Sequence, residues 1–129
     1  MHNPQHLVAL IGRLLLAFIF VVEGWLKIAD YSGTVAYMQA YNVPGGLLPL
    51  VILTELGGGL LVAAGLYARV AALALAGFCL ATALFFHRDI ADGGQLVHLM
   101  KNLSMAGGFL MLVAFGPGGW SVDRGLRRV

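Results

Sequence analysis

Four stretches of this chain are apolar for long enough to cross a bilayer, and no water-soluble fold could hide them all. They run over about 7–28, 46–66, 70–86 and 99–115. Crossing the hydrocarbon layer takes about 20 residues in helical form. Inside lipid every backbone polar group must be satisfied internally, which confines spanning segments of this kind to helices. The charges cannot offer an alternative. Only 11% of the 129 residues are charged and 60% are hydrophobic, whereas a soluble domain carries roughly 25% charged residues. The expected fold is therefore all-α: an integral membrane antiparallel four-helix bundle, with residues 1–129 forming one domain.

The connections support this division. Asn3-Pro4 marks a stop before the first span, and residues 29–45 form a loop in which 34–40 suit a short interfacial helix. Trp25, Tyr31, Tyr37 and Tyr41 fit the aromatic belt at the membrane–water boundary. Residues 67–69 make a tight turn, 89–98 form a second loop with Asp92-Gly93-Gly94 as its turn signal, and Gly116-Pro117 stops the last span. Arg13 and the following apolar run imitate a signal peptide, but no small-x-small cleavage site follows, so a retained helix is expected. Arg13, near the start of its span, is expected to snorkel toward the head groups. Four spans place both termini and the 67–69 turn on one side. Arg13, Arg69, Arg124, Arg127 and Arg128 lie there, against Lys27, Arg88 and Lys101 on the other. The positive-inside rule then puts both termini in the cytoplasm.

Several chemistries are excluded or disfavoured. A net charge of +2 with no clustered basic face speaks against nucleic-acid binding. The single cysteine, Cys79, permits neither an internal disulfide nor a dithiol relay and reads as a small core hydrophobe. Phosphate-loop, dinucleotide and nucleophile-elbow motifs are absent, as are the cysteine patterns of haem and iron–sulfur proteins. Glu23, Glu55 and His87 could make a mixed metal donor set, but no ligand spacing repeats within a helix and nearby lysines compete. No metal is expected.

Helices in lipid are held by close packing and polar contacts, since water drives nothing together there. Gly57, Gly58 and Gly59 expose bare backbone on the second span, Gly77 on the third, and Gly107 and Gly108 on the fourth. The informative residues are the polar ones within or beside the spans, because such groups usually face the bundle and pair. Glu23 and Lys27 stand in the favourable i,i+4 order. Glu55 lies roughly 10–14 Å into its span by helical rise, where a carboxylate is costly unless protonated or paired, with Lys101 or His87 as expected partners. Asn102 lies four residues after His98, on the same face. Glu23, Lys27, Glu55, His87, Lys101 and Asn102 are thus expected to line one polar pocket in the half of the bundle away from the termini. Its charges are expected to form two neutral acid–lysine pairs. The plainer reading is an internal Glu23–Lys27 bridge with His87, Arg88 and Lys101 as ordinary interfacial groups.

Read in order, Gly24-Trp25-Leu26-Lys27, Val43-Pro44, Glu55-Leu56-Gly57-Gly58-Gly59, Gly65-Leu66 with Arg69, Phe86-His87 and Lys101-Asn102-Leu103 make the chain similar to the DoxX family of small bacterial inner-membrane proteins. The resemblance covers nearly the whole chain and rests on the order and spacing of the pieces. It implies four membrane helices, an inner-membrane location and, more loosely, membrane redox chemistry, since relatives include subunits of a thiosulfate:quinone oxidoreductase. The residues themselves admit a quinone or other small apolar ligand between the helices, with Glu55, His87 and Lys101 aimed at its oxygens. Without a tightly bound cofactor of its own, such a protein needs a membrane redox partner to deliver electrons. Three functions stay open: a quinone-linked redox protein or accessory subunit, a non-catalytic scaffold for a partner complex or homo-oligomer, and a small transporter.

Overall fold

In a computed structural model of the protein the described residues are 4–86, 89 and 91–127, the last without its side chain. They form six helices: α1 (Pro4–Ala29), α2 (Tyr31–Ala40), α3 (Gly45–Ala64), α4 (Ala68–Phe86), α5 (Gly93–Phe115) and α6 (Val122–Arg127). α1, α3, α4 and α5 are each long and apolar enough to span a membrane. Leu15, Phe18, Leu53, Val70 and Phe115 are all more than two-thirds exposed. A soluble monomer does not present apolar surface on that scale; lipid is the solvent this exterior fits. Among the described residues there is no strand.

The element ends follow from local chemistry. Pro4 opens α1, where its missing N–H costs nothing. α5 begins at Gly93 rather than near Leu99, because the Asp92 carboxylate accepts a hydrogen bond from Gly94 N at 2.9 Å and caps the helix there. α3 ends at Ala64, short of the expected Leu66. Gly65 takes a left-handed φ of 71°, Gly65 N donates to Val62 O and Leu66 N to Leu61 O, the Schellman pattern of helix termination. The expected interfacial helix is present as α2, longer at its N-terminal end than residues 34–40.

The core is made where α1, α4 and α5 meet. Phe20 of α1 packs edge-on against Phe109 of α5, with ring centroids 5.2 Å apart. Ala17, Ala72, Leu75, Ala76, Cys79 and Ala106 close around them. α1 and α3 run antiparallel in close contact. A Cβ on Gly24 would lie 2.8 Å from Leu56 Cβ, and one on Gly59 would lie 3.0 Å from Val21 Cγ2. Gly58 faces Leu75 and Gly108 faces Leu16, but a Cβ on Gly77 or Gly107 would meet nothing within 4 Å. Those two glycines are not packing positions, contrary to the expectation from sequence.

The end of the bundle that carries both termini is tied shut by polar contacts. Arg13 does not snorkel. It is 4% exposed, and its guanidinium donates to Pro117 O (2.6 Å), Trp120 O (3.0 Å) and Ala63 O (3.2 Å). Ala63 O is in the last turn of α3, where acceptors are left over and carry partial negative charge, while Pro117 O and Trp120 O belong to the connection between α5 and α6. Gly119 N donates to His6 Nδ1. The Asp123 carboxylate accepts from Tyr67 N (2.7 Å) and Ala68 N (2.9 Å), so the tail caps the start of α4.

Candidate functional site

Gly24 sets the geometry of the other end. Lacking a side chain, it lets the α1 backbone lie against Leu56 on α3. Glu55 immediately precedes Leu56 on α3, and Lys27 lies one turn beyond Gly24. The close crossing therefore brings the ammonium to the carboxylate, with Lys27 Nζ 2.7 Å from Glu55 Oε1. Lys27 also contacts Glu23 Oε2 at 3.5 Å along its own helix. Glu55 itself sits in a π-helical turn, Leu53–Gly57, within α3. Such turns interrupt regular helices and recur at functional sites. The preceding turn is supported by Thr54 Oγ1, which donates to Leu50 O at 2.9 Å.

Exposure falls steeply through these three side chains: 48% for Glu23, 23% for Lys27 and 5% for Glu55. A buried carboxylate without a counter-charge would be very costly, and an ion pair offsets most of that desolvation. Oε1 is fully buried, and the Lys27 ammonium 2.7 Å away is the one charged group in contact with it among the described residues.

Beside this cluster opens a cleft of about 1100 Å³. Phe78, Phe85 and Met105 contribute apolar lining, and α2 lines the cleft with Tyr37, Met38 and Tyr41. Tyr37 stacks on Phe86 at 5.4 Å, and Tyr41 meets the same ring edge-on at 5.2 Å. Gln95 Nε2 donates to Tyr41 Oη. A second polar group belongs to α4 and α5: Thr82 Oγ1 donates to Asn102 Oδ1 at 3.3 Å, and Asn102 Nδ2 donates to His98 O.

Of the residues singled out from sequence, Glu23, Lys27, Glu55, Lys101 and Asn102 all line this cleft. His87 and its neighbour Arg88 lie outside the described residues. The expected pairing is corrected. Lys27, rather than Lys101, holds Glu55, so one lysine serves both carboxylates instead of two neutral pairs forming. Lys101 is exposed on the cleft wall. Gly24, Thr82, Tyr37 and the π-helical turn were not foreseen as parts of the site. Thr82, a hydroxyl in an otherwise apolar span, carried a readable signal.

Four long apolar helices, with an ion pair to a buried carboxylate between two of them, define a multi-pass membrane protein with a cleft between its helices. The chain belongs to the DoxX family, whose profile matches residues 8–88, and it is a bacterial inner-membrane protein. It is 49% identical over 119 residues to inner membrane protein YqjF of Escherichia coli (strain K12), covering 92% of each chain. It is 34% identical over 122 residues to inner membrane protein YphA of the same organism, covering 89% of this chain and 87% of that one. No solved structure gives a significant match. The matched family region contains Gly24, Lys27, Glu55 and the glycines after it; Lys101 and Asn102 lie beyond it.

Proposed function

We propose that this protein binds a membrane quinone, or a ring of similar chemistry, in the cleft and serves as a quinone-linked subunit of an inner-membrane redox assembly. The observation that carries this reading is a large cleft between helices that is mostly apolar and touches the buried Lys27–Glu55 pair. Ligand sites usually combine apolar walls with a few convergent polar groups, in volumes of roughly 300–1,000 Å³. An aromatic ring fits against Phe78 and Phe85, and its oxygen would meet the ammonium of Lys27 at the floor. The electrons come from a partner protein, as the chain brings only binding and proton-handling groups. With the termini in the cytoplasm, as the arginine distribution favours, the cleft lies in the periplasmic half of the membrane.

The test is binding of a ubiquinone or menaquinone analogue to the full chain in nanodiscs, followed through quenching of tryptophan fluorescence. Glu55→Gln should preserve the fold and weaken binding roughly tenfold or more, the value of a hydrogen bond to a charged group. A wild-type chain that binds no quinone, and whose Glu55→Gln variant only melts earlier, would favour the scaffold function instead. Transport gains little support, because Arg13 and the C-terminal tail close the opposite end of the bundle.

A further inference from the structure

Glu23, Lys27 and Glu55 are in unbroken contact, at 3.5 and 2.7 Å, and their exposure falls in one direction from the surface to the floor of the cleft. We propose that these three side chains form a proton relay between water at the end of the bundle away from the termini and the buried end of the cleft. This inference adds proton exchange to the ligand site proposed above, and rests on that reading only for the use to which the proton is put.

The first support is charge. Two carboxylates share one ammonium, so full ionisation would leave a net negative charge inside the spans, where uncompensated charge is expensive. One exchangeable proton on the trio removes it. The other titratable groups near the trio do not do this from within. Among the described residues α4 contributes the uncharged Thr82 and the buried thiol of Cys79, which lies within electrostatic reach of Glu55, and α2 contributes the phenols of Tyr37 and Tyr41. Asp30, at the α1–α2 junction, adds negative charge, while Lys101 and His98 of α5 are exposed, so water and ions screen them.

The second support is the geometry at Glu55. Its Oε1 is buried and lies 2.7 Å from the Lys27 ammonium, already within proton-transfer reach. A small rotation of Lys27 brings Glu23, at 3.5 Å, within that reach as well. The step balances simply. The Lys27 ammonium gives a proton to the Glu55 carboxylate, leaving an amine and a carboxyl group. The amine then takes a proton from the carboxyl of Glu23, which recovers one from water. Run in reverse, the same steps release a proton. Glu23 is thus the entry group and acts on the cleft only through Lys27.

The relay can be tested without any ligand, by infrared spectroscopy of the full chain in nanodiscs. Wild type should show the carbonyl stretch of a protonated carboxyl group that disappears in Glu55→Gln and shifts when water is exchanged for heavy water. At a pH low enough for the Glu55 band to be present in both proteins, that shift should slow by roughly 10²-fold in Glu23→Gln, the scale of a removed proton-transfer group, with the melting temperature unchanged. Glu23→Asp should restore fast exchange, which a merely structural role would not predict. Absence of a Glu55-dependent band in wild type, or wild-type exchange in Glu23→Gln, would overturn the relay. Failure of quinone to bind would remove the proposed ligand and leave the exchange result standing.

Discussion

Replacing Gly24 with alanine should loosen the α1–α3 crossing and, through it, the ion pair. The added methyl would lie 2.8 Å from Leu56 Cβ, 2.9 Å from Leu56 N and 3.1 Å from Leu56 Cα. Two of these neighbours are backbone atoms that no rotamer change can move. Restoring an ordinary contact of about 3.5 Å requires the helices to part by roughly 0.7 Å at that point. Overpacking of this kind costs about 1–3 kcal/mol. Alanine also gains up to about 1 kcal/mol over glycine as a helix former, so a control is needed. Gly77→Ala supplies it, because a Cβ there meets nothing within 4 Å. At roughly 4 °C per kcal/mol for a chain of this size, Gly24→Ala should melt about 4–12 °C below Gly77→Ala in detergent. The emission of Trp25, one residue from the substitution, provides the readout. Equal melting temperatures would mean that α1 does not rest on α3 at Gly24, and the account of how Lys27 reaches Glu55 would fall with it.

Arg13→Met should unseat the C-terminal tail, since Pro117 O and Trp120 O lose their donor and each hydrogen bond to a charged group contributes about 1.5–3 kcal/mol; faster proteolytic clipping after residue 117 is the expected result, and unchanged clipping would refute it. Asp123→Ala, which removes the cap on α4, should lower the melting temperature to the extent of about 0.5–2 kcal/mol. A C-terminal reporter that is active only in the cytoplasm is expected from the arginine distribution, and activity confined to the periplasm would reverse the proposed orientation.

The spans were legible because the hydrocarbon layer demands length and apolarity, and both are written locally in the chain. The outer polar residues were legible because charge inside a span is rare enough to mark a site. Partners were harder to read. Glu55 was expected to meet Lys101 or His87, but the register of α1 on α3 decides its partner, and that register hangs on Gly24. Glycine frequency alone could not separate Gly24 and Gly59, which sit at a crossing, from Gly77 and Gly107, which face open space. Arg13 looked like an ordinary interfacial arginine because its acceptors lie at Ala63, Pro117 and Trp120, far along the chain. The π-helical turn at Glu55 left no mark in the residue pattern, since it changes backbone bonding without changing which side chains are apolar.

The Arg13 clamp also sets an order of events during synthesis. Pro117 follows Arg13 by 104 residues, and ribosomes add roughly 5–20 residues per second. For roughly 5–20 s, α1 is therefore in the membrane with a buried-to-be arginine whose partners at Pro117 and Trp120 do not yet exist. During that interval its guanidinium can rest among phosphate head groups at the membrane surface, where a long basic side chain is at home. When residues 117–120 emerge, they exchange those lipid contacts for carbonyls and draw the first helix against the last. Residues 117–120 thus join α1 to this end of the bundle, and a chain truncated before residue 117 would leave Arg13 without two of its acceptors.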